Sequence, residues 1–190
     1  MRASLLRAIP LVIVASTIGC AAPYTFVAHA EPNPFVRPGC RAVVEPLHVD
    51  RLVVGDKPIA QYAADKKAES ADSFDEDLRA ADVDFHQRIA DEHGSLFLPG
   101  APDNTFIIRP VFAHWEPGFY AYFAAHPSEA ELLVDVLAPN GQLLDRIDVT
   151  TRVSASMFNP SSGGRMREAL KQAGHDLDIY ISDNWLCAGR

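Results

Sequence analysis

A two-layer α+β sandwich follows from three features of the 190-residue sequence: a mixed, mostly antiparallel sheet with two helices on one face (β-α-β-β-β-α). Apolar residues step by four, three, four and four in two separate segments, 74–89 and 166–181, which is the spacing of a buried helix stripe. Between them, across residues 105–153, the apolar period is two, the spacing of half-buried strands. Two striped helices and a one-sided sheet can hide their apolar surfaces only against each other. The composition suits this reading, being 48% apolar and 22% charged with Gly and Pro moderate at 11 and 14 residues. One domain is expected, over residues 40–190.

Residues 1–30 read as an export signal. Arg2 and Arg7 form a basic start, and the apolar run after Pro10 is too short to span a bilayer. Two processing patterns coexist. Ala28-His29-Ala30 before Glu31 has the small-x-small form of an ordinary cleavage site, whereas Thr17-Ile18-Gly19-Cys20 resembles a bacterial lipobox with Cys20 as the lipidated residue. Both remain open from sequence. Either way Cys20 is consumed, leaving Cys40 and Cys187 as a disulfide candidate in an oxidising compartment. A loop of that length is worth about 4–5 kcal/mol in the chain-entropy account. Free buried thiols are the alternative.

Prolines 32, 34 and 38 make residues 31–39 an extended tether. Residues 41–49 read as a first strand with Pro46 marking an edge or bulge, and Gly55-Asp56 as a turn. The first helix is expected from Ser73, paired with Glu76 as a capping box, to Gly94 as a C′ glycine. Phe74, Leu78, Ala81, Phe85 and Ile89 form its stripe. Three strands follow, the last two joined at Pro139-Asn140-Gly141, the strongest hairpin signal in the chain. Ser161 or Ser162 caps the final helix, whose stripe is Met166, Leu170, Ala173, Leu177 and Ile181, with Gly174 weakening its middle.

The stretch 106–180 resembles a family of small, exported lipoprotein domains of Gram-negative bacteria, of the domain-of-unknown-function type. The residues carrying the resemblance are Arg109-Pro110-Val111, Trp115-Glu116-Pro117-Gly118, the strand 130–136, the turn Gly141-Gln142-Leu143-Leu144, and the Ala169, Leu170, Ala173, Leu177 helix pattern. The resemblance implies an architecture similar to the outer-membrane lipoproteins that activate peptidoglycan synthases and to the TolB N-terminal domain. It implies no catalytic residue. After Gly118, where the family is glycine-rich, this chain has Phe119-Tyr120-Ala121-Tyr122-Phe123.

Charge and motif content narrow the function. The formal net charge is −8, and from Glu31 onward 15 basic residues face 25 acidic ones, so nucleic acid is not an expected partner. Nucleophile elbows, phosphate-binding glycine loops and dinucleotide fingerprints are missing from the sequence, and no catalytic residue or cofactor is assigned. The run 161–164 before a helix offers N–H groups to an anion but reads first as a loop and cap. His86 and His93, seven apart on one helix, are the metal alternative and need a ligand from elsewhere; no metal site is assigned. His48 with Asp50, and Glu129 with Glu131, read as solvated pairs. Trp115, Phe119, Tyr120, Tyr122 and Phe123 form the candidate recognition cluster. They are aimed at a protein partner, at the bilayer surface, or partly into the core; Met157-Phe158 is a second cluster of the same kind. The expectation is a non-enzymatic, exported or lipid-anchored envelope domain on the periplasmic side, binding an envelope protein. An envelope hydrolase and a metal carrier are the alternatives.

Overall fold

Strand pairing in the computed structural model, which describes residues 22–31, 41–94, 105–121 and 123–185, places the longest apolar strands at the centre of one sheet. The order of elements is β1 (Thr25–Ala28), β2 (Arg41–Val44), β3 (Val53–Val54), β4 (Lys57–Pro58), α1 (Ile59–Ala64), α2 (Ala68–His93), β5 (Thr105–Glu116), β6 (Phe119–Ala121), β7 (Ala124–His126), β8 (Ser128–Leu137), β9 (Leu143–Val153) and α3 (Ser162–Asn184). The sheet runs β1-β9-β8-β5-β3-β4, with β2 also beside β5, while β6 and β7 form a separate hairpin. β1, β9, β8 and β5 are mutually antiparallel along this path. β2 and β3 pair in parallel with the first and second halves of β5, so they lie end to end along its far edge. The fold is α+β.

The period-two reading of the central strands explains which residues enter the core. Ala130, Leu132, Val134 and Val136 of β8 are fully buried, as are Ile147 and Val149 of β9. In β5 the alternation slips once. The β5–β8 register shifts between Phe112 and His114, so Ala113 is an extra residue, and Trp115 rather than His114 joins Phe106, Ile108 and Phe112 inside. The opposite face of the sheet carries charged pairs and no described helix.

Both striped helices cover the apolar face, in one continuous cluster with the sheet. They run side by side in the same direction. Asp84 meets Arg167, Arg88 meets His175, and His93 meets Asp178, at 2.8, 2.7 and 2.6 Å. Gly174 makes this closeness possible, since a Cβ there would stand 2.8 Å from the Phe85 carbonyl oxygen. The glycine expected to weaken α3 instead lets the second helix touch its backbone.

Three local expectations need correction. α2 starts at Ala68 with Lys67 as N-cap and no side-chain cap. The intervening Ala-Glu-Ser-Ala-Asp segment propagates helix upstream, so Ser73 is interior and no capping box with Glu76 forms. Gly94 has φ −53°, right-handed rather than a left-handed C′ glycine. Thr25–Ala28, inside the stretch read as leader, is an edge strand of the sheet. Other expectations hold. Ser161 caps α3 by accepting from the Gly164 N–H at 3.1 Å, and the turn after Pro139 closes through Gly141 N–H to the Ala138 carbonyl. Cys20, Cys40, Cys187, Tyr122 and the tether 32–39 lie outside the described residues.

Candidate functional site

The uncharged residues 117–128 and 153–164 converge at one end of the sheet, where Ser128 pairs with Val153. Gly118 makes the first loop possible. Its φ is +56°, and a Cβ would lie 2.4 Å from the carbonyl oxygens of His126 and Pro127. The resulting β6–β7 hairpin leaves the body of the sheet with the Phe119 and His126 rings stacked at 6.1 Å. The second loop, between β9 and α3, is shaped by Ser156, whose carbonyl accepts from the Asn159 N–H at 3.1 Å.

Arg165 holds the two loops together. It is 1% exposed and donates to Ser128 Oγ at 2.7 Å, the Pro117 carbonyl at 2.8 Å, and the carbonyls of Asn159 and Pro160 at 3.1 and 2.5 Å. Ser128 Oγ itself donates to the Pro117 carbonyl at 2.6 Å. These acceptors are all neutral, and burial pulls the guanidinium below its ordinary pKa. The bases of both loops thus lie within the span of one guanidinium.

Beyond this clamp the side chains turn outward. Phe123 and Phe158 are each 91% exposed, with Met157, Phe119 and Tyr120 also open to solvent. Of the expected recognition cluster, Trp115 is instead a core residue at 1% exposure, carried inward by the β5 bulge. The structure adds Met157 and Phe158 to the outward set. Phe123 lies in the turn between β6 and β7, and Met157 and Phe158 in the loop between β9 and α3.

A second cluster surrounds Asp145, fully buried on β9. Its Oδ2 accepts from Tyr180 OH at 2.6 Å, and its Oδ1 accepts from the Ala30 N–H at 3.0 Å and faces His29 Nδ1 at 3.1 Å. Burial, then the adjacent carboxylate, drives the Tyr180 phenol far above its ordinary pKa. Tyr24 stacks edge-on to Tyr180, with ring centres 5.4 Å apart, and bonds to Asp183 and Asn184. This cluster rivets residues 24–30 onto β9 and α3.

The histidine expectations resolve individually. His86 faces the Asp82 carbonyl and carboxylate through Nδ1 at 2.8 and 3.1 Å, and the Glu45 carbonyl through Nε2 at 3.0 Å. Burial opposes its charge, but Asp82 more than offsets this and its pKa is raised. Burial likewise opposes ionisation of Asp82, yet His86 and the Leu47 N–H bring it below the carboxylate range. His93 instead binds Asp178 across the helix pair, so the two imidazoles serve different partners. Among the described residues no cluster of three His, Cys, Asp or Glu side chains is disposed to hold a metal. His48 pairs with Glu45 at 3.1 Å beside a depression of about 470 Å³ on the open sheet face, also lined by Asp50, Arg51, Arg109, Asp135 and Arg146. Its main cations are engaged, Arg109 with Glu45 and Arg146 bidentately with Asp135. The Arg109 bonds hold the Glu45 carboxyl below its usual pKa. Glu129 pairs with Arg152 across the strands.

No helix among the described residues is long and apolar enough to cross a membrane. No protein-family model matches the chain, and no curated protein matches it. Among solved structures, the PelC dodecamer from Paraburkholderia phytofirmans is similar at a TM-score of 0.42 and 7% identity, covering 82% of this chain and 97% of that one. A single-substitution variant of the same protein gives 0.39 and 8% over the same shares. A candidate lipoprotein from Caulobacter crescentus CB15 gives 0.34 and 16%, covering 54% of this chain and 81% of its own. At these scores the likeness is remote, and the reading of function rests on the residues themselves.

Proposed function

We propose that this chain is an exported, lipid-anchored cell-envelope protein on the periplasmic side, processed before Cys20, which engages an envelope partner through its surface rather than by catalysis. One observation carries the choice of processing site. Residues 24–30 are bound into the sheet and to the buried Asp145, so cleavage after Ala30 would strip an edge strand and remove the His29 and Ala30 partners of Asp145. Cleavage before Cys20 keeps every one of these bonds. The lipobox pattern then supplies the anchor, and two or more acyl chains are enough for stable membrane attachment.

Intact mass measurement of the mature protein from its native membrane fraction tests the reading. The expected N-terminus is an acylated Cys20, and Cys20→Ala is expected to move the protein out of the membrane fraction. A mature chain starting at Glu31 overturns it.

A further inference from the structure

We infer that the aromatic end of the fold is a bilayer-docking surface, with Phe119, Phe123, Met157 and Phe158 seated in the headgroup–acyl boundary of the membrane that holds the N-terminus. The inference rests on the anchored reading above but is carried by separate observations. Phe123 and Phe158, each 91% exposed, stand out at loop tips rather than lining a groove. A convex apolar surface suits a deformable lipid interface better than a complementary pocket. Aromatic side chains are the residues that settle at that depth.

Charge selects the lipid interface over the rest of the surface. Residues 117–128 and 153–164 contain no Asp, Glu, Lys or Arg, in a chain that is 22% charged with a net charge of −8. Acidic groups would repel an anionic leaflet; the two loops contain none, and the nearest carboxylates, Glu116 bonded to the Gly118 N–H and Glu129 paired with Arg152, stand at their bases. The Arg165 cation, on the buried stripe of α3, is held on four neutral oxygens beneath the loops and not at their tips.

The link from the fold to the anchor is short. β1 is antiparallel to β9 with Thr25 opposite Asp148. The pairing ends at Thr25, where the chain bends and Tyr24 turns onto the C-terminal turn of α3, packing on Tyr180 and bonding Asp183 and Asn184. Cys20 precedes Thr25 by five residues, a reach of at most about 17 Å. Cys20 lies only two residues before Ala22, so an acyl anchor there would hold the domain close to the bilayer.

The test uses the mature-length chain from residue 20 with Cys20→Ser, so that no acyl chain contributes. Flotation with phosphatidylethanolamine/phosphatidylglycerol 3:1 vesicles is expected to recover it with the lipid. Phe123→Ser with Phe158→Ser is expected to lower the partition coefficient by roughly tenfold for each ring removed. A Phe158→Trp chain is expected to show fluorescence quenching by brominated lipid that the buried Trp115 and Trp185 of the parent chain do not. Absence of vesicle binding, or equal binding by the double variant, overturns the inference. So does a solution dimer that the same two substitutions dissolve without any vesicle binding, since a second copy would then be the occupant. Because the acyl group is absent throughout, these outcomes are independent of where the leader is cut.

Discussion

Replacing Arg165 by Met tests whether the buried guanidinium organises the aromatic end. Met keeps most of the stem and removes all donors. Four acceptors lose a partner: Ser128 Oγ and the carbonyls of Pro117, Asn159 and Pro160. Pro117 keeps the Ser128 hydroxyl, and the loop carbonyls retain some access to water. Ser128 Oγ thus loses its Arg165 donor at about 1–3 kcal/mol and the Asn159 and Pro160 carbonyls are only partly satisfied at about 1 kcal/mol each, while relief of burying an unneutralised cation offsets part of that loss. A net destabilisation of about 3 kcal/mol is expected, and for a chain of this size this lowers Tm by roughly 6–12 °C. Thermal unfolding followed by circular dichroism measures it. Arg165→Lys, with three donors but no planar fork, should lose about half as much. A fall below about 1 kcal/mol in the Met variant, or a Lys variant equal to wild type, would refute the clamp.

Three further outcomes follow. Gly174→Ala should destabilise by about 1–3 kcal/mol in urea titrations despite the better helix propensity of alanine, because its methyl would meet the Phe85 carbonyl oxygen at 2.8 Å; a gain in stability would show that the helices separate freely. A chain starting at Glu31 should lose about 2–4 kcal/mol relative to one starting at Ala21, through the lost Asp145 bonds and the Tyr24 and Phe26 packing on Tyr180; equal urea midpoints would mean β1 is dispensable. For the His86–Asp82 pair the signs are opposite. The raised His86 stabilises below its unfolded value near 6.5 and loses that contribution as pH rises through its folded one, while the lowered Asp82 stabilises above about 3.9 and loses it as pH falls. The pair therefore contributes most between about pH 4 and 6.5. Both side chains are about a third exposed, so screening limits the decline above about pH 6.5 to under about 1 kcal/mol, and His86→Gln should flatten it in urea titrations repeated across that range.

The legible parts of this fold were those written as a period. The α3 stripe and the β8–β9 hairpin could be read directly because Leu170, Ala173 and Leu177, or Leu132, Val134 and Val136, repeat without interruption and are all buried. β1 was masked because Thr25–Ala28 lies inside a segment that also satisfies signal-peptide rules, and four residues carry too little alternation to compete. Trp115 was displaced by a one-residue bulge that no local pattern announces. Two polar residues did leave a trace. Asp145 has the same strand parity as Ile147 and Val149, and Arg165 sits four residues before Ala169 on the buried stripe. A charge in phase with a core pattern marks a buried partner, and in both cases one is present.

The attachment of β1 also has a mechanical meaning. A pull on the N-terminus acts along the strand axis, so the β1–β9 hydrogen bonds and the contacts of Tyr24, His29 and Ala30 are loaded together in shear instead of being unzipped one after another. Tension on the leash is thereby spread over the strand and the Asp145 latch before it reaches the sheet's interior.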